Sequence, residues 1–180
     1  MYFSGLQLTH FRNYETIVLR FGPGIVCYNG NNGEGKTNLL EAIHYLAMTR
    51  GFSGKTEKYA LKEDEDFFIV EGLWHDDADR KTRIQVSYLP KKGKKVLVDN
   101  KPLARMSAHI GRIPLITVLP NDTQLIYGSP SVRRKFLDAF ISQYDPEYLQ
   151  NLIVYEKALD QRNALLSHFA TRGQFDPIQI

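Results

Sequence analysis

The sequence has almost no cysteine, no long hydrophobic run and no strong charge of either sign. Its single cysteine, Cys27, excludes a disulfide framework and a cysteine-based metal site, and the apolar neighbours of Cys27 predict a small core residue. No run approaches the ~18 apolar residues of a membrane span, and no basic segment precedes an apolar one as in a secretion signal. A net charge of +3 permits a nucleic-acid partner without arguing for one. These absences favour a cytoplasmic protein without membrane association.

The composition is that of a globular chain long enough to bury a core. Of its 180 residues, 43% are hydrophobic and 24% are charged, which is typical of a folded domain. The five histidines, at positions 10, 44, 75, 109 and 168, lie too far apart to suggest a metal site. No nucleophile stands beside a base in a recognisable pattern, so we assign no catalytic residue.

Predicted strands dominate the first 120 residues. The segments LQLTHF, TIVLRF and GIVCYNG predict three strands, and the last of them leads into a glycine-rich loop. Apolar residues then recur at helical spacing from Thr37 to Met48. FFIVEGLW, TRIQVSYL and KKVLVD predict a β-meander with its tip at PKKGKK, and IPLITVL predicts one more short strand.

After Pro120 the pattern becomes helical. Ser129 is a predicted cap with Pro130 in the first helical position, and Asp145 with Pro146 opens a second helix in the same way. Arg162 interrupts a heptad-like seam in that second helix, formed by Tyr148, Leu152, Tyr155, Leu159, Leu166 and Phe169. This seam needs a packing partner longer than the helix before it.

The glycine-rich loop carries the clearest chemical signal. Its residues match G-x-x-x-x-G-K-[ST] without a mismatch and are Gly30, Asn31, Asn32, Gly33, Glu34, Gly35, Lys36 and Thr37. Glycines let backbone N–H groups converge on an anion, and the following helix adds its positive end. We therefore predict that this Walker A loop, with Asn38 after it, binds the phosphates of ATP. The Thr37 hydroxyl is the predicted Mg²⁺ ligand.

Further segments resemble one protein family. LTHFRNYET before the loop and YNGNNGEGKTNLLEAIHYLA around it are similar to the N-terminus of the RecF family, SMC-like ATPases of the ABC type in bacterial DNA repair. GSPSVRRKFLD at 128–138 and YEKALDQRNALL at 155–166 resemble two later blocks of that family, in the same order. The resemblance covers nearly the whole chain.

The resemblance implies an α/β fold, that of a P-loop NTPase of the ABC/SMC type, with a mixed sheet, a β-meander and a helical lobe. Residues 1–120 would form the N-terminal part of the ATP-binding lobe, and 121–180 the start of the helical lobe. The implied function is ATP-dependent homodimerisation on gapped DNA, at junctions of single and double strands, with RecR-type and RecO-type partners. Arg12 and Asn13 would lie near the nucleotide; for Arg12 the alternative is an ordinary surface arginine.

Other parts of such an ATPase are missing from the sequence. No apolar strand ends in the paired acids of a Walker B motif, and no Ser-x-Gly-Gln signature is present. PNDTQLI has Asn121 where the family usually has Glu, and RGFSGK also departs from the family pattern. We therefore expect the N-terminal portion of a longer protein, truncated before Walker B. The whole protein is expected to be a weak DNA-dependent ATPase, and this chain to bind ATP without turnover.

Two basic groups are candidate DNA contacts. Lys91, Lys92, Lys94 and Lys95 surround the predicted hairpin tip, and Arg133 and Arg134, followed by Lys135, lie in the first helix after Pro120. Each could touch DNA phosphates. The alternatives are a tip kept soluble by its lysines and a solvated helix face.

Two other functions are compatible with a P-loop. A self-contained P-loop kinase of a small molecule is often near this length, but it requires β–α repeats and a parallel sheet, whereas a β-meander is predicted here. A DNA-binding scaffold that no longer binds nucleotide would not need Lys36 and Thr37, which are both present.

Overall fold

Alternation of apolar and polar residues builds the first part of the chain into an antiparallel sheet. The computed structural model describes residues 1–54 and 56–172, and the chain divides into two units, Met1–Thr117 and Val118–Ile180. The sheet of the first unit has the order β2-β1-β3-β4-β5-β6, with every neighbouring pair antiparallel. Its strands are β1 (Tyr2–Phe11), β2 (Tyr14–Arg20), β3 (Phe68–His75), β4 (Lys81–Leu89), β5 (Gly93–Val98) and β6 (Lys101–Pro102). The first two predicted strands and the predicted meander are confirmed.

One helix, α1 (Lys36–Met48), covers a face of this sheet. Leu6, Leu8, Val70, Ile84 and Val86 of the sheet form a single buried cluster with Leu39, Ala42 and Leu46 of α1. Burying each such aliphatic side chain contributes about 1.5–3 kcal/mol relative to exposure. Gly72 lets the helix approach closely, because a Cβ there would lie 2.6 Å from a methyl carbon of Leu46. The predicted helix from Thr37 to Met48 is confirmed.

Two segments predicted as strands are not strands. GIVCYNG and LITVL have no regular structure, and within the described residues neither pairs with the sheet. Ile25 is 96% exposed and Val118 81% exposed, and Cys27 is exposed rather than buried in a core. An apolar run indicates a buried strand only when a neighbouring strand satisfies its N–H and C=O groups, and the run itself does not supply that neighbour.

The second unit is helical, as predicted. It contains a 3₁₀ turn (Pro120–Thr123), then α2 (Gln124–Tyr127), α3 (Pro130–Tyr144) and α4 (Pro146–Arg172). Asp145 caps α4, since its carboxylate accepts hydrogen bonds from the N–H groups of Glu147 and Tyr148 at 2.9 and 3.0 Å. Ser129 occupies the cap position of α3, but its side chain makes no capping hydrogen bond. Its hydroxyl lies 2.6 Å from that of Ser131 instead.

The 27 residues of α4 extend over about 40 Å at ~1.5 Å per residue. Near its start the hydroxyl of Tyr148 donates to Asp138 of α3 at 2.5 Å. In the middle of the predicted seam Tyr155 is 63% and Leu159 37% exposed, whereas Leu166 and Phe169 farther along are half-buried. Nowhere along the described ranges does a helix combine the length and the apolar character that crossing a membrane requires.

His109 ties the segment after β6 to the end of α1. Its side chain is fully buried, and its Nε2 lies 2.6 Å from the carbonyl oxygen of Leu46. Because a carbonyl can only accept, Nε2 carries the proton, which leaves Nδ1 buried without a hydrogen-bond partner. Burial lowers the pKa of His109, helped by the charge of Arg112 and opposed by the hydrogen bond to Leu46.

We predict that protonation of His109 destabilises the fold in acid. Since its folded pKa lies below the unfolded value of about 6.5, the contribution of the neutral ring to stability is complete above that pH and is lost as the pH falls from there through the folded pKa. His109→Gln keeps an N–H donor but does not titrate, so its free energy of unfolding should fall less between pH 7 and 5. Urea denaturation at several pH values measures this.

The control for this experiment is His168→Gln, at an exposed histidine. The pKa of His44 is also lowered by burial, but His44 is present in all three proteins and cancels from the comparison. Equal pH dependence in the His109→Gln variant and the unchanged protein would contradict the prediction.

Candidate phosphate-binding site

The loop before α1 has the backbone geometry of an anion cradle. Gly30, Gly33 and Gly35 have φ angles of 148°, 87° and 97°, a region that favours glycine. Gly35 is the N-cap residue of α1, where no side chain makes a capping hydrogen bond and the first turn has no acidic residue. The N–H groups and the positive end of the helix dipole are therefore not satisfied by a side chain, as an anion site requires.

Lys36 folds back over this loop. Its Nζ donates to the carbonyl oxygens of Gly30 and Asn31 at 2.7 and 2.6 Å. An ammonium group has three N–H donors, so one is left for a ligand. In the described part of the chain, Lys36 belongs to none of the ion pairs. Its positive charge is thus not neutralised by the protein, and the residues present fit a phosphate group.

Glu34 adds a negative charge at the rim of the loop. Its carboxylate accepts a hydrogen bond from Nδ2 of Asn31 at 3.0 Å and packs against the Cα of Gly30, where a side chain would collide with it. Burial, and then the charge of Glu34, raises the pKa of Tyr14, which therefore stays neutral. Asn32 and Thr37 are exposed, so the predicted metal-binding hydroxyl of Thr37 is accessible to solvent.

Asn13 lies against the loop, from the turn between β1 and β2. Its Nδ2 donates to the carbonyl oxygen of Glu34 at 3.2 Å, and its Oδ1 accepts from Nδ2 of Asn38 at 2.8 Å. The structure thus brings Asn13 and Asn38 together with the predicted loop. No sequence signal indicated the hydrogen bond between these two asparagines, because they are 25 residues apart and local patterns do not reach that far.

Arg12 is directed at α1 instead of the loop. Its guanidinium donates to Oε2 of Glu41 through Nε and Nη2, at 2.9 and 2.6 Å, and to the carbonyl oxygen of Tyr59 at 2.7 Å. Glu41 is only 3% exposed and also accepts from the hydroxyl of Ser53 at 2.7 Å. Sequence reasoning missed Glu41; the available signal was a carboxylate in the otherwise apolar run LLEAI.

The candidate DNA-binding residues differ in their solvent exposure and in the contacts they make within the protein. Lys91, Lys92 and Lys95 are exposed, whereas Lys94 is half-buried and forms an ion pair with Glu57. In the helical unit, Arg134 is exposed, and Arg133 donates to the carbonyl oxygen of Gly128 at 3.2 Å. Alternation along β5 explains the contrast between the neighbours Lys94 and Lys95, which point to opposite faces of the sheet.

Carboxylates for a metal are not assembled among the described residues. No group of three or more His, Cys, Asp or Glu side chains in residues 1–54 and 56–172 could hold a metal ion. Asp122, beside the divergent Asn121, accepts a hydrogen bond from the backbone N–H of Leu119 at 2.7 Å. Its visible role is therefore to close the 3₁₀ turn that begins at Pro120.

Comparisons with known proteins agree with this geometry. The chain matches the AAA domain family over residues 6–172. The DNA replication and repair protein RecF of Chlorobaculum parvum is 41% identical over 167 residues, which cover 93% of this chain and 45% of that protein. The chain therefore spans about half the length of the curated relatives it matches.

Solved structures resemble the whole fold. The recombination mediator protein RecF-ATP in the RecFOR pathway has a TM-score of 0.89 and 33% identity, over 99% of this chain and 48% of that one. A structure from work on ATP-driven dimerization and DNA stimulated activation of SMC ATPases has a TM-score of 0.61 and 18% identity, over 77% of this chain and 99% of that one. The second likeness shows the fold alone. Together they confirm the predicted fold class, a P-loop ATPase of the ABC/SMC type.

We predict that Arg12→Ala destabilises the first unit. The change leaves the carboxylate of Glu41 buried without its charged partner, which should lower the free energy of unfolding by about 2–4 kcal/mol, slightly less than for a fully buried pair because Arg12 keeps some solvent contact. Urea denaturation measures the loss, and Arg20→Ala, at an exposed arginine of β2, is the matched control. Equal stability of the two variants would mean that Arg12 does not neutralise Glu41 in solution.

Proposed function

This chain belongs to the AAA domain family and corresponds to the N-terminal half of RecF, and we propose that it binds ATP through the loop at residues 30–37. The RecF resemblance of FRNY and NGEGKTNLLEAI is thus confirmed by relatives of known name. The observation that carries the proposal is Lys36, whose ammonium is fixed on two loop carbonyls and retains an N–H donor above an uncapped helix N-terminus.

The loop would hold the nucleotide by charge and by convergent N–H groups. Backbone N–H groups around Gly33 and Gly35 would surround the phosphates, and Lys36 would bind their terminal oxygens. Mg²⁺, held by the Thr37 hydroxyl and by the nucleotide itself, would neutralise phosphate charge. Asn31, Asn32, Glu34 and Asn38 would line the loop, while Arg12 and Asn13 would lie behind it. The relative described as RecF-ATP supports ATP as the ligand.

The described residues supply binding groups but not the groups of hydrolysis. Phosphoryl transfer depends on positioned charge and on a residue that orients the attacking water. The described residues show no carboxylate cluster for a metal, and the one acid of PNDTQLI, Asp122, closes a turn. We therefore propose that this chain binds ATP without turning it over, and that the whole protein is a weak DNA-dependent ATPase.

For the whole protein we propose a role in DNA replication and repair at gapped DNA. ATP-dependent homodimers would bind junctions of single- and double-stranded DNA and act with RecR-type and RecO-type mediators in the cytoplasm. Support comes from relatives described as a DNA replication and repair protein and as a recombination mediator in the RecFOR pathway. The exposed lysines of the β4–β5 tip and the exposed Arg133 and Arg134 are the proposed DNA contacts in this chain.

A small-molecule kinase is disfavoured by the topology. After α1 the chain continues as antiparallel strands, whereas such a kinase builds a parallel sheet from β–α repeats. Phosphotransfer assays with labelled ATP and small-molecule acceptors would reveal a kinase directly.

We predict that Lys36→Ala weakens binding of Mg-ATP by roughly 10- to 150-fold, the range for losing a hydrogen bond to a charged group. The fold should be unaffected, because the ammonium of Lys36 bonds to two carbonyls of the loop and not to the core. Titration calorimetry measures the affinity, with Lys58→Ala, at an exposed lysine, as the charge-matched control. Unchanged affinity in the Lys36 variant would exclude the loop as the phosphate site.

We predict that the tip lysines bind DNA through phosphates, without sequence preference. Replacing Lys91 and Lys92 by Ala should lower the slope of log affinity against log salt by about 1.8 on duplex DNA, since each phosphate contact contributes ~0.9. The matched control replaces Lys81 and Lys101, which are exposed at the starts of β4 and β6, away from the tip. An equal decrease in both double variants would indicate a general charge effect and contradict a contact at the tip.

A further inference from the structure

The turn between β1 and β2 holds the phosphate loop from outside. Asn13 is in this turn, and its amide group spans two elements, donating to the Glu34 carbonyl of the loop and accepting from the Asn38 side chain of α1. The two bonds use the amide nitrogen and the amide oxygen, so the orientation of the side chain is fixed. A single residue outside the loop therefore connects the loop to the helix that follows it.

The same amide packs on the junction between loop and helix. A Cβ added to Gly35 would lie 2.5 Å from Nδ2 and 2.6 Å from Oδ1 of Asn13. Gly35 also has a φ of 97° and is the N-cap residue of α1. The Asn13 side chain thus occupies the space beside the residue at which the backbone changes from loop to helix, where a small shift would move Lys36 and Thr37.

The turn that carries Asn13 is itself fixed to the protein. Arg12, the preceding residue, donates its backbone N–H to Ala60 at 2.8 Å and its guanidinium to the buried Glu41. Asn38 and Glu41 are three residues apart and so lie on the same side of α1. The β1–β2 turn therefore contacts the first two turns of α1 at two residues. These contacts hold Asn13 in place even if the phosphate loop moves.

We propose that Asn13 is a positioning residue for nucleotide binding, which keeps the loop in its phosphate-ready shape before a nucleotide arrives and does not itself contact the nucleotide. The inference rests on the proposed function of the loop. The loop residues Asn31, Asn32, Gly33 and Glu34 are all exposed, so little of the core holds them in place. A loop that must be ordered during binding loses affinity through conformational entropy, and a preorganised loop avoids this loss.

The test compares Asn13→Ala with the unchanged protein in three measurements. Calorimetry should show Mg-ATP binding weakened about 3- to 20-fold, the range for one or two neutral hydrogen bonds. Hydrogen–deuterium exchange without nucleotide should be faster at residues 30–37, while the thermal midpoint stays the same. Thr16→Ala, at an exposed residue of the neighbouring strand β2, is the control and should change none of the three.

The exchange measurement separates positioning from contact. Weakened binding with unchanged exchange in the nucleotide-free protein would mean that Asn13 touches the nucleotide, which overturns the inference. Unchanged affinity would also overturn it, and Lys36→Ala measured in parallel then shows whether the proposed function stands: if that variant still loses affinity, the loop binds phosphate without help from Asn13.

A second variant keeps the test decisive if Asn13→Ala does not fold. Asn38→Ala removes only the hydrogen bond between Asn13 and α1, and it leaves the turn and the hydrogen bond to the Glu34 carbonyl unchanged. Without nucleotide, hydrogen–deuterium exchange at residues 30–37 should be faster in this variant as well. Exchange equal to that of the unchanged protein would overturn it.

Discussion

The buried carboxylate of Glu41 imposes a constraint on the whole first unit. A charge removed from water must be paired and hydrogen-bonded, or it destabilises the fold. Glu41 is 3% exposed, and the guanidinium of Arg12 meets it with two donors on one oxygen. Because Arg12 is in the β1–β2 turn and Glu41 in α1, neutralising this charge also fixes the turn on the helix. The sheet, the helix and the loop are thereby all positioned relative to this carboxylate. A Cβ at Gly51 would collide with the same carboxylate.

Local patterns predicted those parts of the fold that depend on nearby residues. The loop sequence fixes three glycine conformations and the start of α1, and Asp145 with Pro146 correctly places the start of α4. The strands β1 to β5 follow from alternation, since each pairs with a neighbour in the same meander or hairpin. The predicted strands at Ile25 and Ile116 were wrong because an apolar run does not specify a pairing partner. The Arg12 and Glu41 pair and the Asn13 bridge were missed because they join residues 21 to 29 positions apart.

The site combines attraction and repulsion for a polyphosphate within a few residues. Lys36 and the uncapped end of α1 attract negative charge, while the carboxylate of Glu34 lies at the rim and is held there by Asn31. If the loop binds a nucleotide as proposed, a divalent cation on that nucleotide would reduce the repulsion by Glu34 and leave the phosphates available to the backbone donors. We therefore expect the loop to bind a metal-complexed nucleotide in preference to the free polyanion. Neighbouring Tyr14 adds no charge of its own, since its pKa is raised.

The two apolar segments outside the sheet bear on how copies of this chain behave toward one another. Ile25, Val26, Ile116 and Val118 expose branched side chains in segments that have no regular structure and pair with no strand of the sheet within the described residues. Such segments are templates for intermolecular strand pairing, the usual first step of aggregation. A net charge of +3 gives weak long-range repulsion, which physiological salt screens beyond about 8 Å. Colloidal stability at high concentration therefore depends on whether another strand covers these residues, more than on the strength of the buried core.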